Sequence, residues 1–311
     1  MIEIKNLSVS FGGALPVVDR LNLKLKPGKT TVIVGESGSG KSVTIAAILR
    51  LLPNEASVSG SIKLDGRELL ELSDKEMSTL RGKEIGYVPQ GGGNSMHPLL
   101  TVGAQVAEPI AVHEKLPKHK AFQTAIEWLG KMGLTPAEKV AASYPHTLSG
   151  GMKQRALIAM GAAGGAQALL ADEPTKGLDS KRIAQVEELF RDLKGRTILC
   201  VTHDLRFARN ISDDICVMYG GKPVEFTDAA SFFADPQHPY SRMMLASLPE
   251  NGMACPDDFT PPAEQRTGCV FYHRCPHRAD ECLGEVRMLH SGAHHVRCVL
   301  VKTAPEAKGG S

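Results

Sequence analysis

Gly35-Glu36-Ser37-Gly38-Ser39-Gly40-Lys41-Ser42 is the segment that most restricts what this chain can fold into. It fits the pattern G-x-x-x-x-G-K-[ST]. It stands between a continuous β-branched run, Thr30 to Val34, and an apolar helical pattern from Lys41 to Leu52. Strand, glycine loop and helix in that order form a cradle for a phosphate. The glycines let successive backbone N–H groups curl round an anion, and the helix start adds partial positive charge. Lys41 is placed to reach the β- and γ-phosphates, and the Ser42 hydroxyl to ligate Mg²⁺. The motif predicts a nucleoside triphosphate. It separates neither ATP from GTP nor a kinase from a motor.

The rest of the chain supplies the setting. Period-two alternation at Ile2, Ile4, Leu7, Val9, Phe11 and at Leu21, Leu23, Leu25 predicts half-buried N-terminal strands. Ser61 to Gly66 reads as a hairpin edge with an Asp-Gly turn, and Ser73 with Glu76 as a capping box. From about Gly91 to Ser149 the apolar spacing turns helical, at Val102 to Val112 and Ala121 to Met132. Thr135-Pro136-Ala137-Glu138 reads as the N-cap, Pro and Glu that open another helix. Strand–helix alternation then resumes: strand Leu169 to Ala171, helix Lys181 to Leu193, strand Thr197 to Val201, a helix from Asp204, strand Ile215 to Met218. This alternation predicts an α/β layer sandwich with a mostly parallel sheet. Beyond about Pro236 the pattern weakens, while Pro, Cys and His accumulate. The final residues, Ala304 to Ser311, read as a frayed tail.

Charge and composition remove other classes. Lys+Arg 36 against Asp+Glu 34 leaves a net charge of +2, so no basic excess points to nucleic acid. One Trp and five Tyr leave little for base or sugar stacking. The most apolar stretch, Ile45 to Leu52, is broken by Arg50 and stopped by Pro53, too short to span a membrane. Glu3 and Lys5 argue against an N-terminal signal peptide or anchor. Of seven cysteines, Cys200 and Cys216 sit in apolar runs and read as small buried hydrophobes. Cys255, Cys269, Cys275, Cys282 and Cys298 gather near the C-terminus, which in a cytosolic chain points to metal or redox chemistry before disulfides.

Asp172 and Glu173 end the strand pattern Ala168 to Ala171. An acid there can hold Mg²⁺ through water, and its neighbour can polarise an attacking water. Leu148-Ser149-Gly150-Gly151-Met152 then resembles the LSGGQ signature of ABC ATPases, with Met in the last place. A Ser and two Gly at a helix start offer a hydroxyl and bare N–H groups to a phosphate. In that family the phosphate belongs to nucleotide held by the other subunit. The resemblance implies that Gln90 is the Q-loop glutamine, a Mg²⁺ and water sensor. It implies that Gly177-Leu178-Asp179 is the D-loop, with Asp179 its acid. It also implies that His203 contacts the γ-phosphate and that Phe11 stacks on adenine.

Tyr144-Pro145-His146, Met152, His238-Pro239-Tyr240 and Leu248-Pro249 narrow the resemblance to ATP-binding subunits of peptide/nickel-type importers. The segment after Gln90 departs from that branch, reading Gly-Gly-Gly-Asn-Ser-Met-His-Pro. So does Lys176-Gly177-Leu178 before Asp179. The fold implied is a P-loop NTPase core, α/β with a mainly parallel sheet, an N-terminal antiparallel β subdomain, a helical insertion and a small C-terminal Cys-rich domain. Residues 1–235 would form the ATPase unit, with the helical subdomain at about 91–150, and residues 236–311 the extension.

The implied catalytic set is Glu173, His203, Gln90 and Lys41. Nucleotide would be held by Phe11, Gly35, Glu36, Ser37, Gly38, Ser39, Gly40, Lys41, Ser42, Gln90 and Asp172, and Mg²⁺ by Ser42, Gln90 and Asp172. Implied partners are two integral membrane permease subunits, a second ATPase subunit (a related chain, or a second copy) and an extracytoplasmic substrate-binding protein. That places the chain on the cytoplasmic face of the membrane. A soluble, non-transport ABC ATPase is the alternative.

Four cysteines, Cys269, Cys275, Cys282 and Cys298, suit a [4Fe–4S] cluster or a zinc site, or stand as free thiols. The family likeness implies the cluster. Changing one of these thiols is expected to loosen the segment after Pro256 and to spare the phosphate loop.

Overall fold

The computed structural model describes residues 1–91, 95–193, 195–252, 267–291 and 294–301. Cys255, the tail after residue 301 and part of the segment following Gln90 lie outside the described residues. The strands are β1 (Ile2–Phe11), β2 (Val18–Leu25), β3 (Thr30–Val34), β4 (Ala56–Leu64), β5 (Arg67–Glu68), β6 (Ile85–Val88), β7 (Ala168–Asp172), β8 (Thr197–Thr202), β9 (Asp214–Tyr219), β10 (Lys222–Asp228), β11 (Leu289–Ser291) and β12 (His294–Val296). The helices are α1 (Lys41–Ile48), α2 (Asp74–Leu80), α3 (Val102–His113), α4 (Lys118–Lys131), α5 (Ala137–Ala142), α6 (Gly150–Ala163), α7 (Ser180–Asp192), α8 (Leu205–Ile211), α9 (Ala229–Ala234) and α10 (Pro239–Ala246).

Two sheets result. An antiparallel one runs β2-β1-β4-β5, and a larger one runs β11-β12-β10-β9-β3-β8-β7-β6. In the larger sheet β6, β7, β8, β3 and β9 are parallel, while β10, β12 and β11 pair antiparallel at one edge. The expected mainly parallel sheet is therefore a mixed one with a parallel centre. Strands β3, β7, β8 and β9 are buried at every position, as a sheet covered on both faces requires. Alternate residues feed two cores. Val32, Val34, Leu169 and Ile198 join the helical side, while Ile33, Leu170 and Leu199 face α1 and the antiparallel sheet.

Local chemistry sets the boundaries. Asp65 and Gly66, both at positive φ, make the turn between β4 and β5. Ser73 and Glu76 form the capping box of α2. Helix α1 ends at Ile48 rather than at Leu52, because Arg50 takes a left-handed φ of 50° before Pro53. Helix α5 starts after Pro136, which occupies the N-cap position expected for Thr135. Cys200 and Cys216 are fully buried, and burial pushes the Cys216 thiol up to about 12, so both behave as core hydrophobes. The segment after Pro236 is stitched into the ATPase layers. Strand β12 extends the sheet beside β10, and Phe271, Cys269 and Cys275 join the helical-side core.

Candidate active site

The phosphate loop leaves the C-terminal end of β3, an inner parallel strand flanked by β9 and β8, and enters α1. Close packing fixes its glycines. A Cβ on Gly35 would lie 2.1 Å from the Met218 carbonyl oxygen, and one on Gly40 would lie 2.4 Å from that of Val17. Gly40 takes the N-cap position of α1 in a left-handed conformation, and no side chain caps the helix. Its first N–H groups therefore point into the loop, a ready anion site. Lys41 is buried and donates from Nζ to the carbonyls of Gly35 and Glu36, both at 2.8 Å. Burial lowers the pKa of its ammonium, opposed by the carboxylates of Glu173, Asp172 and Glu36.

Strand β7 delivers the carboxylates to the same edge. The Ser42 hydroxyl donates to Asp172 Oδ1 at 2.8 Å, which closes two hard oxygen donors into one corner. Burial raises the Asp172 pKa, with the Ser42 hydrogen bond pulling the other way. Glu173 follows at a left-handed φ of 48°, costly for a non-glycine residue. It is held by its N–H to the Val201 carbonyl at 2.9 Å. Its carboxylate is buried, with Oε2 2.8 Å from His203 Nδ1 and 3.4 Å from the Thr202 hydroxyl. His203 lies just past β8 with its side chain largely exposed.

Ser37, Gly38, Gly40, Lys41, Ser42, Gln90, Glu173 and His203 line one cleft of about 510 Å³, which Val17, Val43 and Lys176 complete. The sequence reading missed those last three. Phe11 ends β1 half-buried against the β-subdomain core and does not line the cleft. The signature segment does not line it either. Ser149 caps α6 by accepting the Met152 N–H at 3.4 Å, Leu148 is buried, Gly151 abuts Arg182, and Gly150 faces open space. Asp179 caps α7. One chain thus carries a glycine loop, a hydroxyl–carboxylate pair and a buried carboxylate on one edge, with a second capped helix start elsewhere.

Among the C-terminal thiols, Cys269, Cys275, Cys282 and Cys298 are buried and form no disulfide. Burial raises the Cys269 thiol to about 11, and the neighbouring Cys282, Cys298 and Cys275 add to the rise. The expected metal is not supported. Among the described residues no group of three or more His, Cys, Asp or Glu side chains is placed to hold a metal ion.

With this geometry in place, comparison with known proteins gives a consistent result. The model of the ABC transporter family matches residues 18–176, and that of the oligopeptide/dipeptide transporter C-terminal region matches residues 224–282. The oligopeptide transport ATP-binding protein OppD of Bacillus subtilis (strain 168) is 42% identical over 257 residues, covering 80% of this chain and 72% of that protein. The dipeptide transport ATP-binding protein DppD of the same organism is 37% identical over 320 residues, 96% of this chain and 94% of that one. Among solved structures, the dimeric post-hydrolysis state of the ATP-binding cassette MJ0796 bound to ADP and Pi superposes with a TM-score of 0.66. It is 30% identical and covers 74% of this chain and 99% of that one.

Proposed function

The chain belongs to the ABC transporter family, and we propose that it is the ATP-hydrolysing subunit of a peptide importer. It is an ABC ATPase, whose hydrolysis is coupled to transport. The observation that carries the peptide reading is the match of residues 224–282 to the C-terminal region of oligopeptide/dipeptide transporters. The nickel alternative finds no support among relatives described as oligopeptide and dipeptide transport proteins. A soluble ABC ATPase is not favoured, because that C-terminal region would then be unexplained. We take residues 1–235 as the ATPase unit and 236–311 as the extension that marks the branch.

In this reading the loop N–H groups and Lys41 hold the phosphates. Ser42 and Asp172, 2.8 Å apart, would hold Mg²⁺ together with Gln90, and all three offer the oxygen donors that a hard cation prefers. Bound Mg²⁺ supplies charge neutralisation at the phosphates. Glu173 orients the attacking water and accepts its proton, and His203 holds the Glu173 carboxylate in place from the other side. The signature Leu148 to Met152 serves nucleotide on a partner ATPase, a related chain or a second copy. Among the described residues no helix is long and apolar enough to cross a membrane. The transport path is therefore assigned to separate permease subunits, fed by an extracytoplasmic binding protein, with this chain on their cytoplasmic face.

Two measurements test this reading. Tagged chain solubilised from host membranes should bring down two polytopic proteins, and deletion of its gene should abolish uptake of labelled oligopeptide. Retained uptake would remove the peptide assignment. Lys41→Ala should weaken nucleotide binding by roughly a hundredfold, since it deletes a charge-assisted contact worth about 1.5–3 kcal/mol. Titration with Mg–ATP reads this directly, and unchanged affinity would count against the phosphate-loop assignment.

For the thiols, we propose a [4Fe–4S] cluster in preference to zinc. Four buried cysteines are the ligand set that a cluster takes. The preference over zinc comes from the family likeness alone, since among the described residues no group of three or more ligating side chains is placed for either. Anaerobically prepared protein is expected to be brown, with about four irons and four sulfides per chain. Stoichiometric zinc, or no metal beside a protease-resistant C-terminal segment, would discard the cluster.

A further inference from the structure

Glu36 is a carboxylate inside a loop built to hold a polyphosphate. Left alone, its charge would oppose every phosphate placed beside it. The compensation comes from 238 residues further along the chain. Arg274 ends the 3-10 turn Tyr272–Arg274, directly before Cys275. Its Nη1 lies 2.9 Å from both Oε1 and Oε2 of Glu36 and donates to the Tyr219 hydroxyl at 3.2 Å. The Arg274 side chain is 5% exposed, and its guanidinium lies against the rings of Tyr219 and Phe271. The same loop residue is held at its backbone, where the Glu36 N–H donates to the Tyr240 hydroxyl at 3.1 Å. Tyr219, Tyr240 and Phe271 pack with ring centroids 4.6 to 5.4 Å apart. Side chain and main chain of Glu36 are thus both fixed by residues outside the phosphate loop, one of them from the cysteine-rich segment.

We infer that Arg274 is a positioning residue of the nucleotide site, neutralising and fixing Glu36 so that ATP affinity depends on the C-terminal cysteine-rich segment. The inference rests on the ATP reading of the cleft. It joins two parts that the sequence treats as independent, because a change at Cys275 acts on the residue next to the clamp.

The test is Mg–ATP titration of the full chain. Arg274→Gln should lower affinity roughly tenfold, the order that one uncompensated charge about 12 Å from a phosphate charge gives at an effective dielectric of about 20. In the double variant Glu36→Gln with Arg274→Gln the loop keeps its main chain and its N–H bond to Tyr240, while the carboxylate is gone and the cation is no longer needed, so affinity should return to within about threefold of wild type. A merely structural role for Arg274 predicts equal loss in single and double variants, and that result overturns the inference. So does unchanged affinity in Arg274→Gln beside a wild type that binds. If wild type itself fails to bind Mg–ATP, the nucleotide reading falls and takes this inference with it. If the single variant does not fold while the double variant does, the uncompensated Glu36 is again the cause. If neither folds, Arg274 is structural and the inference fails.

Discussion

Glu173→Gln is expected to keep Mg–ATP binding while lowering turnover by about 10²–10⁴-fold, the usual worth of a positioned general base. The amide preserves the shape of the side chain and can still meet His203 Nδ1, now 2.8 Å from Glu173 Oε2. Only the proton affinity is removed. The backbone supports the same assignment. A non-glycine residue at a φ of 48° is held there by the Val201 carbonyl, which aims the carboxylate into the cleft beside Lys41 and His203. Nucleotide affinity and phosphate release should be measured side by side on one preparation. Near-normal phosphate release would pass the base role to another group, His203 first, while lost binding would show that Glu173 serves the fold of the cleft.

What the sequence made legible was local and contiguous. The phosphate loop, the Asp172–Glu173 strand end and the signature each occupy one short run, so their residue types and flanking periodicity suffice to place them. Even the Ser42–Asp172 contact, 130 residues apart, follows once each motif is assigned a metal role. The misses have physical causes. Strand β10 carries Pro223 near its start, which reads as a breaker, and it is accommodated because it lies beside a register shift and outside the stretch of β10 that pairs with β12. Strands β11 and β12 have three residues each, too few for a period-two pattern to emerge. Val17, just ahead of β2, reaches the cleft, and no residue-type signal at that position marks it. Arg274 is one of several arginines in a segment rich in Pro, Cys and His. Nothing in its neighbours points to Glu36, because the contact is made by tertiary packing of Tyr219, Tyr240 and Phe271.

Gly150→Asp gives the second large effect, and the structure makes it a clean experiment. A Cβ at Gly150 meets nothing within 4 Å, whereas one at Gly151 would come within 2.6 Å of the Arg182 side chain. Gly150 is the first residue of α6 after the Ser149 cap, and the first turn carries no acidic residue. An aspartate there should leave the isolated chain as stable as before, or stabilise it by about 0.3–1 kcal/mol through the helix dipole. Against a partner's nucleotide the sign reverses. A carboxylate about 4 Å from a phosphate charge costs about 4 kcal/mol at an effective dielectric of about 20, roughly a thousandfold in closure. Thermal unfolding of the single chain and size-exclusion chromatography of the assembled ATPase pair with ATP separate the two effects. In the Glu173→Gln background ATP should drive closure, and adding Gly150→Asp should abolish it while the melting temperature holds or rises. A melting temperature that falls in step with closure would make this helix start a fold element. Closure and turnover that survive the aspartate would mean that the signature does not face a partner's phosphates.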